Sequence, residues 1–223
     1  MPYVYQFPDP LSADADGLLA AGGDLSIESL VTAYSRGIFP WYNEGPILWW
    51  SPDPRMVLLP SGFRISPSLK QRIASGCYKV KTDCAFREVI SHCALVKRKD
   101  QEGTWINEEM LKAYINLHEA GLAHSFETYY QDKLVGGLYG VSLGRVFFGE
   151  SMFHLKADAS KVALYYLVEW CKQHEFCFID AQQATSHLKS LGAVEMRRPK
   201  FLKMLQGGLK FPTMKGRWKT SDK

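Results

Sequence analysis

Three extended runs separated by almost nothing, Ala123 to Tyr130, Lys133 to Val141 and Arg145 to Phe153, constrain this 223-residue chain more than any other feature. The hydrophobic period changes there from helical to extended, and the joints are only Gln131-Asp132 and Ser142-Leu143-Gly144. Runs so closely joined fold back on one another, which predicts an antiparallel meander. A helix is expected next, with Asp158 as its cap and Val162, Tyr165, Tyr166 and Trp170 among its buried positions, followed by a short apolar strand, Phe176 to Gln182. Beyond it come a helix ending at Leu191-Gly192, an edge strand near Val194 to Met196 and a helix from Pro199.

Upstream of the meander the sequence predicts three helices. The first starts at Ser66-Pro67, where a serine can cap and proline suits the first helical position, and runs to Gly76. The second follows Asp83 and carries Phe86, Val89, Ile90 and Cys93 at helical spacing, ending in the charged loop Lys97 to Gly103. The third follows Asn107, with Met110, Tyr114, Leu117 and His118 on one stripe. The first sixty residues are dense in Pro, Gly and Trp and hold one helix signal, Ser26 to Arg36. The remainder is expected to be irregular and held by packing of Phe39, Trp41, Tyr42, Trp49 and Trp50. The reading is α+β, with a small N-terminal domain over 1–62 and a larger one over 63–223 whose order of elements resembles the acetyltransferase-like fold called GNAT.

Composition narrows the function classes. At 46% hydrophobic the chain can bury a real core. Its five cysteines are odd in number and include no paired C-x-x-C, so neither a disulfide framework nor a zinc site is expected. Without a basic-then-apolar leader or a run near the roughly 20 apolar residues of a membrane span, the expectation is a cytoplasmic protein without a membrane partner. A G-x-S-x-G elbow, P-loop, H-E-x-x-H and G-x-G-x-x-G are all missing, and no histidine has a Ser or Cys at a recognised nucleophile spacing, so covalent catalysis is not favoured. Arg64, Lys70, Arg72, Lys79 and Lys81 form a basic run with no acid before Asp83, and nine Lys or Arg from Arg197 to Lys223 stand against Asp222 alone. Both segments suit a solvated surface, and both suit a phosphate backbone.

Two strands carry the candidate chemistry. In Phe147-Phe148-Gly149-Glu150-Ser151-Met152-Phe153, regular alternation puts Phe148, Glu150 and Met152 on one face, so a carboxylate sits between two apolar groups. It calls either for an internal cation or for a cleft that receives a cationic ligand. At the end of the next strand Asp180 and Gln182 share a face, as a turn cap or as part of a site. The loop His154 to Lys161 has no glycine, which argues against a close backbone cradle for coenzyme A. Trp41 follows a turn and Trp105 stands at a loop-to-helix junction, where indoles serve as core filler or as platforms for a base.

With these residues in view, the chain resembles the bacterial leucyl/phenylalanyl-tRNA-protein transferases. Seven ordered blocks carry the likeness across about residues 7 to 201, among them Gly17 to Ser26, Gly37 to Tyr42, Leu48 to Arg55, Gly103 to Ile106, Leu134 to Val141, Phe148 to Phe153 and Ile179 to Gln182. The resemblance implies a cofactor-free, metal-free monomer that moves Leu or Phe, and less well Met, from aminoacyl-tRNA to proteins beginning with Arg or Lys, marking them for N-end-rule degradation. It places Glu150, Ser151, Asp180 and Gln182 at the active site and matches Trp41 and Trp105 to aromatics that contact the 3′-terminal adenosine. Ala181 stands where a cysteine can occur. The expected mechanism has Asp180 polarise Gln182, whose carbonyl orients the attacking amine, while Glu150 holds the acceptor's cationic end. Phe147, Met152, Leu164, Leu167 and Ile179 are candidates for the apolar donor pocket, and Arg64, Lys70, Arg72, Lys79 and Lys81 for the grip on the acceptor stem.

Overall fold

A computed structural model describes residues 5–95 and 106–219. Trp105, with the Lys97 to Gly103 loop, lies outside the described residues. In chain order the elements are β1 (Leu18–Ala21), α1 (Ile27–Ser35), β2 (Phe39–Pro40), β3 (Leu48–Trp50), β4 (Arg55–Leu58), α2 (Pro67–Ala74), β5 (Lys79–Thr82), α3 (Phe86–Leu95) and α4 (Glu108–Glu119). The meander follows as β6 (Ala123–Tyr130), β7 (Lys133–Leu143) and β8 (Val146–His154). Then come α5 (Ala159–Gln173), β9 (Phe178–Gln182), α6 (Ser186–Ser190), β10 (Val194–Met196) and α7 (Arg198–Gly208).

The strands form a small sheet in the order β1-β3-β2 and a seven-stranded sheet in the order β10-β4-β9-β8-β7-β6-β5. Every pairing in the large sheet is antiparallel except β8 with β9. The β6–β7 joint has Gln131 and Asp132 both at positive φ, 49° and 58°, the turn whose twist matches a hairpin. Ser26, Ser66 and Asn107 cap α1, α2 and α4, each accepting from the backbone N–H three residues on. Asp158 occupies the N-cap position of α5 at φ 64° but makes no capping bond; its carboxylate pairs with Lys161 at 3.0 Å.

Three expectations are corrected. The first sixty residues are not irregular apart from one helix, because β1, β2 and β3 pair there; strands of two to four residues are too short to show a period. In α5, Tyr165, Tyr166 and Trp170 are only half-buried and Ala163, Leu164, Leu167 and Val168 take the inner face, because the smaller aliphatic groups pack against the sheet; the stretch before residue 62 also supplies β4, a strand of the large sheet between β10 and β9. All four residues of β4 are buried, a continuous run with no alternation to mark it as a strand. The third concerns β8. Tyr139 pairs with Ser151 and Gly140 with Gly149, so Glu150 is an extra, bulged residue. The bulge inverts the alternation beyond it, and Met152 packs with the α5-side cluster while Phe148 packs in the opposite one.

Those two clusters are the core. One joins α1, α3, α4 and α7 to one side of the large sheet, with Leu30, Tyr34, Val89, Tyr114 and Phe201 fully buried. The other joins α5 to the opposite side through Ala163, Leu164, Leu167 and Val168.

Candidate active site

The parallel pairing of β8 with β9 covers only Val146↔Phe178, Phe147↔Ile179 and Phe148↔Asp180. Beyond that row the strands part, and a cavity of about 360 Å³ opens in the fork. Gly149 to Met152 line one side and Ala181 to Gln183 the other, α5 and α6 contribute Leu164, Leu167 and Leu188, and Phe39, Pro40 and Trp41 stand at β2. The lining is mostly apolar with a few polar groups, the usual character of a small-molecule site.

Glu150 is the centre of the polar part. It is buried, and its carboxylate accepts from Tyr34 Oη at 2.7 Å, Tyr114 Oη at 3.0 Å and Gln182 Nε2 at 2.7 Å. The two hydroxyl oxygens also contact each other; with one proton apiece they cannot both donate to Glu150 and bond one another, so that third contact is filled only when the carboxyl itself carries a proton. All three of these donors, among the described residues, are neutral groups. Burial pushes the Glu150 carboxyl up to about 7, although the three donors pull it back toward the ionised form. Burial and the nearby Glu150 charge hold both tyrosine hydroxyls well above their ordinary range, so they stay protonated and donating.

Asp180 meets Gln182 at its backbone N–H. It is fully buried and is not part of the cavity wall. One oxygen accepts from Arg55 Nε at 2.9 Å and the other from Arg55 Nη2 at 2.7 Å. The guanidinium also donates to Gly37 O at 3.1 Å and lies over the rings of Phe39 and Phe201, at 4.7 and 4.6 Å. Asp180 Oδ1 accepts from the backbone N–H of Gln182 at 2.9 Å. Gln182 sits at φ 60°, a left-handed conformation that costs a non-glycine residue roughly 1–2 kcal/mol. Asp180 therefore holds the turn that aims the Gln182 amide at Glu150, and stands one bond removed from the cavity.

Nine of the expected site residues meet at this cavity: Glu150, Gln182, Trp41, Ser151, Phe147, Met152, Leu164, Leu167 and Ile179. Trp41 is half-buried, set edge-on to Trp50 at 5.5 Å, whereas Trp49 is fully buried core. Arg64, Lys70, Arg72, Lys79 and Lys81 are all exposed, on α2, on β5 and just before α2. Lys79 pairs with Asp132 at 3.6 Å, and Lys81 lies 5.1 Å from the Tyr129 ring. In the second basic run, Arg198 is buried and donates to Ser51 O, so it belongs to the core rather than to a ligand surface.

Sequence reasoning misses Tyr34 and Arg55, sets His187 aside for want of a Ser or Cys partner, and takes Tyr114 as ordinary core. The usable signal is chemical: a buried tyrosine hydroxyl on a helical stripe needs a partner, and a carboxylate on an apolar strand needs donors. His187 of α6 also lines the cavity, and burial followed by the charge of Lys161 holds its imidazole below the ordinary range.

Comparison with known proteins gives the chain its relatives. Residues 57–206 match the family Leucyl/phenylalanyl-tRNA protein transferase, and residues 23–53 match the Leucyl/phenylalanyl-tRNA protein transferase N-terminal domain. A Leucyl/phenylalanyl-tRNA--protein transferase of Desulfatibacillum aliphaticivorans is 58% identical over 213 residues, 95% of this chain and 91% of that one. Proteins of the same name from Anaeromyxobacter sp. (strain Fw109-5) and Legionella pneumophila (strain Corby) are both 53% identical, over 98% and 96% of this chain and 93% and 96% of their own. The chain belongs to the leucyl/phenylalanyl-tRNA protein transferase family, and with it to the aminoacyltransferases.

Proposed function

We propose that this enzyme transfers Leu or Phe, and less well Met, from aminoacyl-tRNA to the α-amine of proteins beginning with Arg or Lys, marking them for N-end-rule degradation. The observation that carries the proposal is Glu150: a carboxyl poised near pH 7, held by three neutral donors and open to a mostly apolar cavity. An α-ammonium docks against that carboxylate and gives up its proton to it. The neutral amine then attacks the ester carbonyl, the tetrahedral adduct collapses, and the ribose oxygen leaves with a proton relayed through the sugar or water. Positioned proton acceptors contribute on the order of 100- to 10,000-fold.

Gln182 orients rather than deprotonates, since an amide is a very weak base. Its Nε2 is committed to Glu150, which leaves Oε1 to accept from the incoming amine. The donor side chain enters among Phe147, Met152, Leu164, Leu167 and Ile179, a wall that discriminates a methylene by only about 1–3 kcal/mol and so tolerates more than one apolar residue. Trp41 offers a face to the terminal adenine, and the five exposed bases Arg64 to Lys81 grip the acceptor stem through phosphates. The same reading takes the large domain as acetyltransferase-like, from the meander followed by α5 and the parallel β9, and takes the enzyme as a cofactor-free cytoplasmic monomer, aminolysis of an ester being downhill.

Radiolabelled Leu-tRNA incubated with the protein and a peptide beginning with Arg should place label on that peptide, and not on the same peptide beginning with Glu. Label on neither, or on both alike, would remove the proposal.

A further inference from the structure

The segment after α7 is strapped to the large sheet. Gly144 N donates to Thr213 Oγ1 at 2.8 Å, Gly216 N to Gly121 O at 3.2 Å, and Trp218 N to Asp83 Oδ2 at 2.7 Å. The strap ends on Trp218, which is 4% exposed and donates through Nε1 to Met214 O at 3.1 Å. Its indole stacks on His124 at 3.7 Å and on Trp170 at 5.1 Å. His124 is itself pinned, its Nδ1 bonded to Asp83 at 2.8 Å, so the indole rests on groups that have little freedom to shift.

Phe147 stands against this assembly, its ring centroid 6.1 Å from that of Trp218. The same ring is a wall of the cavity. Its edge lies over Gly140, where a Cβ would come within 2.6 Å of Phe147 Cε1. Phe147 is thus confined between a residue with no side chain and one whose side chain is locked. Trp218 also shares an apolar cluster with the cavity walls Leu58, Leu138, Leu164, Leu167 and Ile179.

We infer that Trp218 is a positioning residue that sets the depth of the cavity through Phe147, and thereby helps decide which aminoacyl side chain is transferred. The inference rests on the proposal that the cavity receives the donor side chain. With the indole in place Phe147 cannot swing back. With a smaller group there the ring can turn toward the vacated space and the pocket deepens, since an unfilled volume beside an aromatic ring is unfavourable.

The test compares kcat/KM for Leu-tRNA and Phe-tRNA with an Arg-starting peptide, in the wild type, Trp218→Phe, Trp218→Leu and Leu164→Ala. Trp218→Leu should raise the Phe-to-Leu ratio by about tenfold, the effect of a methylene or so of pocket space, and Trp218→Phe by less, with tRNA affinity unchanged in both. If Trp218→Leu fails to fold, Trp218→Phe decides the matter. A purely structural Trp218 lowers both donors equally. An unchanged ratio in the Trp218 variants alongside a shifted one in Leu164→Ala overturns this inference alone. An unchanged ratio in all three removes the reading of the cavity as well.

Discussion

Arg55 and Asp180 form a two-pronged ion pair, with bonds of 2.9 and 2.7 Å, in which neither side chain is more than 1% exposed. Removing one partner strands a buried charge, at a cost of about 3–5 kcal/mol. Asp180→Ala and Arg55→Ala should each lose that much in denaturant unfolding. The double change Arg55→Met with Asp180→Leu should regain most of the stability, because apolar groups of similar size fill the same space. It should not regain transfer, because Gln182 N then has no acceptor and its φ 60° turn no anchor. A stable and fully active double variant would show that the pair does nothing for Gln182.

With Glu150 as the proposed proton acceptor, transfer should have a defined pH dependence. Its pKa of about 7 places the loss of activity on the acid side, roughly tenfold per pH unit once it is protonated. Stability runs the other way. The folded value lies above the ordinary 4.5, so the stabilisation is full below about 4.5 and disappears as pH rises through about 7. Glu150→Gln should therefore cut transfer by at least about 100-fold and flatten the fall in thermal midpoint over that window. Glu127, also pushed up to about 7 by burial, leaves a residual slope in both proteins. A variant with the wild-type slope would remove Glu150 as its source.

Tyr34 reaches Glu150 from α1, in the N-terminal part of the chain. Tyr34→Phe deletes a hydrogen bond to the ionised carboxylate, at a cost of about 1.5–3 kcal/mol, and leaves the ring in its core position. The carboxyl should then titrate higher, and the acid limb of the pH–rate profile should move up with it. An unmoved midpoint accompanied by a uniform drop in rate would point to packing alone.

Affinity for charged tRNA should fall steeply with salt. Reversing Arg72 or Lys81 to Glu should lower the slope of log affinity against log salt by about one for each phosphate no longer neutralised, while leaving the Leu-to-Phe ratio alone. A slope identical to the wild type would return both residues to the solvated surface. Lys79 is the weaker choice for this test, being already paired with Asp132.

Much of the architecture is legible in the residues. The meander, α5, β9 and the β10 edge strand stand where period and turn chemistry put them, because long regular elements impose a pattern that single residues cannot hide. The inner face of α5 is less legible: period points to Val162, Tyr165, Tyr166 and Trp170, and of these only Val162 is buried, while Leu164 and Leu167 face the cavity. The bulge at Glu150 is not, since one extra residue leaves composition untouched and shows only in pairing. Nor is the Arg55–Asp180 pair, whose members are far apart in the chain and share no local pattern. In the sequence β5 reads as part of a basic run: with Lys79 and Lys81 exposed it is a charged edge strand, and that charge masks its period.

Val57 of β4 pairs with Asp180 of β9, 123 residues later, and Glu195 of β10 closes on Met56 from the other side. A chain emerging from the ribosome thus makes β4 early and has no place for it until β9 and β10 have also appeared. The Arg55 that anchors Asp180 waits with it. Pairing across so long a stretch is slow, and here it is also the step that sets the Gln182 turn beside Glu150. A chain that stops short of β9 lacks the Gln182 turn altogether, so the polar end of the cavity cannot form in it.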